Sequence, residues 1–195
     1  MTDLAQAIAM FATSVEHFEK KFGVIAPREP VAIESPLALG DALGQFYSRL
    51  DLRDKPEIGG KMHIKIVPPS QLPAAQEGWR WITGRDGQRT EDPAWPATWI
   101  VFADRNGDAI AVDTASPQGA VYGSIQKRNY PIGADLASFL QTVAAAMDEE
   151  RATFDYEVTD EDFEVLDSYR NAVRSIAADR LGSDHAPGFM KFFFE

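Results

Sequence analysis

The histidines and carboxylates of this chain are the side chains that could bind a metal or act on a substrate. The three histidines, His17, His63 and His185, are far apart in sequence. His17 lacks the second histidine, four residues on, that a metalloprotease helix needs. The chain also has no cysteine, which removes thiolate zinc sites, thiol nucleophiles and disulfides. The sequence therefore predicts no metal site and no cofactor.

The segment from Asp104 to Asp108 resembles the start of a calcium loop. Its glycine, Gly107, comes two residues too early, and Ala115 stands where a bidentate glutamate is required. The Asn106-Gly107 pair is instead typical of a tight hairpin turn. The chain has no Walker loop, no G-x-G-x-x-G after a strand and no G-x-S-x-G motif. Phosphate cradles and strained serine nucleophiles therefore have no support.

Asp108 and Asp113 are the carboxylates of the predicted strand over residues 109–113. They stand at its opposite ends, about 17 Å apart at about 3.4 Å per residue, which is too far for a shared catalytic site. We expect Asp108 to cap the turn and Asp113 to accept backbone amides near Thr114. A small hydrolase built on scattered Asp, Glu and His residues would need a deep pocket with convergent, perturbed carboxylates. It remains a third functional hypothesis.

The acidic segment, residues 148–167, holds most of the net charge. It contains ten acidic residues and one base, so it carries −9 of the chain's −11. Such a segment repels nucleic acid and anionic membranes and attracts a basic partner. A solvated helix face with an acidic first turn is the other interpretation that the residues allow. The candidate partner-binding acids are Asp155, Glu157, Asp160, Glu161 and Asp162.

Four tryptophans lie within 21 residues, at Trp79, Trp81, Trp95 and Trp99. Trp99 begins the best strand and is predicted to be core. Trp79 and Trp81 are two residues apart, so they would lie on the same face of an extended segment. Trp95 lies between two prolines and is predicted to be exposed. Trp79, Trp81 and Trp95 are therefore candidate anchors for a partner protein. No basic groove accompanies them, so nucleic-acid binding is not expected.

Composition and hydrophobic periodicity predict one α+β domain. The chain has 195 residues, 45% hydrophobic and 25% charged, as in ordinary globular domains. No apolar run approaches the ~20 residues of a membrane span, and the first twenty residues lack the features of a secretory signal. We therefore expect a cytoplasmic protein that does not enter membranes.

Two strands joined by the Asn-Gly turn, residues 99–103 and 109–113, form a predicted hairpin. A third strand over residues 119–126 and a helix over residues 135–147 follow it. The other predicted elements are a helix over residues 3–22 ended by Gly23, a linker over 26–36, a helix over 39–50, a strand over 62–67, an exposed loop over 83–97 and a long helix from an acidic start at Thr159 and Asp160 to Gly182. The Phe-rich tail, residues 188–195, must pack on the chain's own core or on a partner.

The order of these elements resembles the SUKH superfamily, the SMI/KNR-like domains, over residues 34–147. The match depends on Gln45-Phe46-Tyr47, the Trp99 strand, the Asn106-Gly107-Asp108 turn, Asp113 and Ala137-Ser138-Phe139-Leu140. The chain departs from the family pattern in lacking the Leu-Pro entry and the Asn-Gly after the Phe-Tyr pair. It resembles a divergent member. The corresponding motif residues are Phe46, Tyr47, Trp99, Gly107, Asp108, Asp113, Phe139 and Leu140.

The resemblance implies an α+β domain that binds proteins and carries no catalytic residue. Many bacterial members are similar to immunity proteins that neutralise toxins, and fungal members act as regulatory scaffolds. We therefore expect a small antiparallel or mixed sheet with flanking helices in a single domain. It would comprise an N-terminal helix and linker (1–33), a SUKH-like core (34–147) and an acidic helical extension (148–195).

Two functions remain open at this point beside the hydrolase hypothesis. The first is a non-enzymatic immunity-like protein that occludes a basic toxin domain, drawn in by the acidic segment and held by aromatic anchors. The second is a scaffold that self-associates through its N-terminal helix or its Phe-rich tail. The first favours a monomer and the second a homodimer.

Overall fold

The computed structural model describes residues 3–195, in which helices cover one face of a seven-stranded sheet and a long connection covers the other. The helices are α1 (Leu4–His17), α2 (Gly40–Arg49), α3 (Leu72–Ala75), α4 (Leu136–Ala152) and α5 (Asp167–Phe194). The strands are β1 (Lys21–Pro27), β2 (Leu50–Ile58), β3 (Ile64–Ile66), β4 (Trp81–Thr83), β5 (Arg89–Glu91), β6 (Trp99–Arg105), β7 (Asp108–Asp113), β8 (Val121–Ile125) and β9 (Arg128–Gly133). The fold is α+β with flanking helices, as predicted.

All neighbouring strands of the large sheet are antiparallel, in the order β1-β2-β3-β6-β7-β8-β9. The predicted hairpin is confirmed as β6–β7. Its turn residues Asn106 and Gly107 have φ angles of 53° and 91°, the left-handed values that a type I′ turn needs. Sequence patterning missed β9, whose residues it assigned to the approach to α4. The separate β4–β5 hairpin begins just before the loop predicted over residues 83–97 and extends into it.

The N-terminal helix is shorter than predicted. α1 ends at His17, and the chain turns into the edge strand β1. Phe18 is buried with the apolar stripe of α1, whereas Phe22 is 61% exposed. Gly23, predicted to end the helix, instead lies at a register shift between β1 and β2 with a φ of 64°. A Cβ there would lie 2.5 Å from the Asp54 carbonyl oxygen, so the two strands can approach only at a glycine.

The predicted acidic helix start at residue 160 is wrong, because α5 begins at Asp167. The Asp160 carboxylate accepts the backbone N–H groups of Asp162 and Glu164, at 3.0 and 2.9 Å. Such local bonds compete with helix formation. Val158 and Val165 are buried on either side of this loop, which fixes the connection from α4 to α5 against the core.

α5 is broken at Gly182, where a helix end was predicted. The φ of Gly182 is 68° and its ψ is −176°, a conformation essentially reserved for glycine. The Phe-rich tail then continues as helix, and Phe189, Phe192 and Phe193 are at most 1% exposed. The tail therefore packs on the chain's own core. Gly123 in β8 makes room for it, because a Cβ there would lie 2.4 Å from the Phe192 ring.

The second face of the sheet is covered by the connection between β3 and β6. Trp95, Trp99, Val101, Ala109 and Ala111 form a small apolar cluster on this face. β3 ends before the first half of β6, which leaves that half without a neighbouring strand on this side. The buried Gln76 side chain takes the strand's place, as its Oε1 accepts the Val101 N–H at 3.0 Å and its Nε2 donates to the Val101 carbonyl at 2.9 Å. One side chain thereby completes the backbone pairing of β6.

Candidate protein-binding surface

The acidic loop, residues 159–165, is an ordered turn between α4 and α5. Thr159 and Val165 form an antiparallel bridge, and the Asp160 N–H donates to the Glu164 carbonyl at 2.9 Å. With the two bonds to its carboxylate, Asp160 organises the whole loop. The carboxylates of Glu161 and Asp162 are exposed at its end. Asp160 is therefore a structural residue of the loop, whereas its neighbours are free to meet a partner.

Phe163 projects from the acidic loop with 88% of its surface exposed. Its φ is 63°, a left-handed value that is uncommon for a bulky residue and costs on the order of 1–2 kcal/mol. Acidic residues lie on both sides of it in the chain. Sequence patterning had placed Phe163 on the buried face of a helix, because Phe163, Leu166 and Tyr169 follow helical spacing.

The turn at Asp155 and Tyr156 contacts the N-terminal part of the chain. Asp155 and Tyr156 both have positive φ, 48° and 66°, in a turn that presents Asp155 and Glu157 to solvent. The Tyr156 ring packs edge-on against Phe18, and its hydroxyl accepts the Glu19 N–H at 3.0 Å. These contacts hold Asp155 and Glu157 on the same connection as the acidic loop.

Not every acid of the segment is available to a partner. Glu150 is fully buried at the end of α4, and burial raises its pKa although the Lys61 amide and the Lys20 ammonium oppose that shift. Asp148 accepts the Ser14 hydroxyl of α1 at 2.8 Å and pairs with Arg151 at 3.5 Å. The charge that faces solvent is therefore concentrated in residues 155–167, where Asp167 is exposed and pairs with Arg170.

The predicted tryptophan anchors lie away from the acidic loop. Trp95 is only 4% exposed, so the prediction that it is exposed is wrong. The turn at Asp92, whose carboxylate accepts the Ala94 N–H at 2.9 Å, folds Trp95 back onto the sheet. There its Nε1 donates to the Trp99 carbonyl at 3.3 Å. Trp99 is core, as predicted, and stacks on Tyr122 at a ring separation of 3.9 Å.

Trp79 and Trp81 are half-buried. Trp79 packs against Trp95 at 5.3 Å, and Trp81 lies under the Arg89 guanidinium at 3.9 Å. Trp79 packs on the second face of the sheet, and Trp81 belongs to the β4–β5 hairpin. Val158 and Val165, in contrast, anchor the acidic loop in the core on the helical face. The candidate acids and the candidate tryptophans are therefore not brought together in one site.

The residues that carry the family resemblance have structural positions. Phe46 and Tyr47 are fully buried on α2, and the Tyr47 hydroxyl donates to the Val67 carbonyl at 2.8 Å. Phe139 and Leu140 are buried on α4. These side chains join the helices to the sheet and leave no polar group directed at a ligand.

The aspartates at the β6–β7 turn and at the end of β7 accept different backbone amides, and one of the two predicted roles is wrong. Asp104, not Asp108, accepts the Gly107 N–H, at 3.2 Å. Burial raises the pKa of Asp108, against a backbone hydrogen bond from Gln126. Asp113 accepts the Ala115 N–H at 3.0 Å, so its predicted role at the end of β7 is confirmed.

A cavity of about 240 Å³ lies between the N-termini of α1 and α4, with Asp3 and Asp135 in its lining. Asp3 accepts the Ala5 N–H at 3.3 Å and Asp135 the Ser138 N–H at 2.7 Å, so both act as helix caps. The two carboxyl groups whose pKa burial raises, Asp108 and Glu150, do not line it. The cavity therefore does not supply the convergent acids that the hydrolase hypothesis needs.

Two further features bear on ligand classes. Within residues 3–195, no three His, Asp or Glu side chains are grouped so that they could hold a metal ion. Across the same residues, none of the helices combines the length and the apolar character that crossing a bilayer requires.

No protein-family model, curated protein or solved structure matches the chain. The resemblance to the SUKH superfamily therefore stays a prediction, and the functional argument depends on the geometry of the surface.

The scaffold hypothesis requires self-association through the N-terminal helix or the Phe-rich tail. Both of these surfaces are buried within the chain. The tail rings pack against the sheet and α4, with Phe189 near Phe139 and Phe192 over Gly123. The apolar stripe of α1 is buried in the same core. A self-associating scaffold would have to use another part of the molecule.

Proposed function

We propose that the protein is a non-catalytic binding domain that captures a basic partner protein on its acidic loop. The observation that carries this proposal is the 88% exposure of Phe163 within an ordered loop of exposed acids. The resemblance to immunity proteins makes a toxin domain the partner that we expect, with occlusion as the mechanism.

The Phe163 ring has the properties of an anchor. It gains no burial in the free protein, and its backbone conformation is unfavourable, so its present geometry is not explained by folding stability alone. Burying a phenylalanine side chain in a partner's pocket is worth about 1.5–3 kcal/mol. Because Asp160 already holds the loop, little ordering entropy would be lost on binding.

The negative charges around Phe163 indicate which charges should surround the partner's pocket. Exposed carboxylates steer positively charged surfaces and reject negative ones, mainly through the association rate. A nuclease toxin domain would meet this requirement, since a site that attracts phosphates is itself basic. We expect an apolar pocket in the partner, ringed by lysine and arginine.

The first prediction concerns the anchor. Phe163→Ser removes the ring without disturbing the bonds to Asp160, and we expect about 10–100-fold weaker binding, the effect of a typical hot spot. Phe22→Ser, at the other strongly exposed phenylalanine, is the matched control and should leave binding unchanged. The first step is to establish whether the adjacent reading frame encodes a large secreted protein with a C-terminal toxin domain, and the measurement is calorimetric titration of the variants against that domain. Equal binding by Phe163→Ser and the unaltered protein would contradict the anchor role.

The second prediction concerns steering. Glu161→Lys with Asp162→Lys should slow association about tenfold at low salt and flatten its salt dependence. Glu29→Lys with Glu34→Lys makes the same charge change in the connection between β1 and α2 and should have a smaller effect. Stopped-flow association across a salt series distinguishes the pairs. Identical salt slopes for both double variants would leave the acidic loop without a steering role.

A further inference from the structure

Glu150 is a buried carboxylate with incomplete pairing. Its Oε2 accepts the backbone N–H of Lys61, in the turn between β2 and β3, at 3.0 Å and lies 3.5 Å from the Tyr169 hydroxyl. Its Oε1 has no hydrogen-bond partner, and the Lys20 ammonium lies 3.9 Å from it. A buried carboxylate that lacks full pairing is costly in its ionised form.

The turn between β2 and β3 closes directly over this oxygen. Gly60 has a φ of 59°, and a Cβ there would lie 2.4 Å from Glu150 Oε1. The absence of a side chain lets the backbone cover the carboxylate. Opening this turn would therefore give the unpaired oxygen access to water.

Glu150 also contacts the turn at Asp155 and Tyr156, further along the acidic segment. The Tyr156 N–H donates to the Glu150 carbonyl at 2.9 Å, and Lys20 Nζ donates to the Tyr156 carbonyl at 3.1 Å. Lys20 thus lies between the Glu150 carboxylate and the turn at Asp155 and Tyr156. The charge of the Glu150 carboxylate therefore reaches the turn at Asp155 and Tyr156 through Lys20, while the bond to the Glu150 carbonyl fixes the position of that turn.

The charged and titratable groups around Glu150 come from each element packed on it. They are Lys20 before β1, Lys61 in the turn between β2 and β3, Tyr169 on α5, and Glu149 on its own helix. Lys61 is in turn influenced by Arg105, Arg170 and Glu164, and the same turn carries His63, which pairs with Glu57 of β2. Burial outweighs Lys20 and the Lys61 amide and raises the pKa of Glu150 above its ordinary 4.5. The folded chain therefore binds this proton more tightly than the unfolded chain does.

We propose that Glu150 is a pH-sensitive latch that, when neutral, keeps the turn between β2 and β3 and the turn at residues 155–156 closed. When it is ionised, its buried charge favours local opening of both turns to water. The latch acts within the chain, so it holds whether or not the acidic loop binds the proposed partner.

The test is hydrogen exchange at the Lys61 and Tyr156 amides across pH 4.5–8, corrected for the intrinsic pH dependence of exchange. Because the folded pKa is raised, stability from the neutral form is present at low pH and is lost as pH rises through that pKa. Protection of both amides should fall by up to about tenfold per pH unit between the Glu150 pKa of the unfolded chain and that of the folded chain. Glu150→Gln, which mimics the neutral form, should keep the high protection throughout.

Two matched variants isolate the effect. Glu149→Gln changes the adjacent, less buried acid and should retain the fall in protection. His63→Gln, which removes the histidine of the turn between β2 and β3, should retain it as well. A pH response in Glu150→Gln equal to that of the unaltered chain would overturn the proposal. A carboxyl-carbon NMR titration of the unaltered chain gives a second readout, and a Glu150 pKa at or below 4.5 would also overturn it.

Discussion

Replacing Gly188 with alanine is expected to lower the free energy of unfolding by about 2 kcal/mol or more. The new Cβ would lie 2.1 Å from the Pro131 carbonyl oxygen, a backbone atom of β9 that cannot rotate away. α5 or β9 must shift, and the overpacking cost is about 3 kcal/mol. Higher helix propensity returns at most about 1 kcal/mol. Denaturant unfolding of the purified variant measures the difference.

Gly44→Ala is the matched control for this prediction. Gly44 is also helical, on α2, but a Cβ there would meet nothing within 4 Å. Alanine should therefore stabilise the protein by about 0.5–1 kcal/mol through helix propensity alone. Opposite signs for the two variants are the expected result. A Gly188→Ala variant as stable as Gly44→Ala would mean that α5 does not approach β9 this closely.

Replacing Gln76 with leucine is expected to destabilise the protein by roughly 2–4 kcal/mol. Leucine preserves burial but leaves the Val101 N–H and carbonyl without partners, and each unsatisfied buried group costs about 1–3 kcal/mol. The Val101 amide should also lose its protection from hydrogen exchange. The damage should start on the second face of the sheet, because Val101 packs there with Trp95 and Trp99.

Gln71→Leu provides the comparison. Gln71 lies five residues earlier, and its side chain is exposed, so this change should alter stability by no more than about 0.5 kcal/mol. Denaturant unfolding with tryptophan fluorescence as the signal reports on both variants. Similar midpoints for the two would contradict the role of Gln76 as a substitute for a neighbouring strand.

Of these two sites, only Gly188 also positions the proposed binding surface. Gly188 lets the second half of α5 lie close to β9, and the first half of α5 starts where the acidic loop ends. The tail ring of Phe194 packs 6.0 Å from Tyr169, next to Glu150. Loss of the close approach at Gly188 should therefore weaken partner binding indirectly, whereas Gln76→Leu acts on the opposite face and should affect binding only through stability.

Elements with local determinants were predictable from the sequence. The β6–β7 hairpin depends on an Asn-Gly turn and on apolar residues within a few positions of it, so its signal is complete in fifteen residues. α2 and α4 were predicted from apolar periodicity, and the buried Phe46, Tyr47, Phe139 and Leu140 agree with it. The α+β class follows from the same local patterns.

Errors arose where a side chain far along the chain, or a side-chain bond to the backbone, decided the outcome. Phe163 has the spacing of a buried helical residue, but the Asp160 carboxylate captures two amides and stops the helix before it starts. Trp95 has the polar and proline-rich surroundings of an exposed residue, but its burial depends on contact with Trp79 and Trp99. β1 is defined by pairing with β2, which lies more than twenty residues later.

The amino-acid sequence alone determined the α+β class, the central hairpin, the main amphipathic helices and the concentration of negative charge in residues 148–167. These features depend on composition, turn chemistry and periodicity, which act over short distances along the chain. Only the tertiary structure decided that Glu150 is buried, that Phe163 is exposed, and that the acids and the tryptophans lie on opposite faces of the sheet. Each of these depends on which distant segments meet, and periodicity carries no information about such contacts.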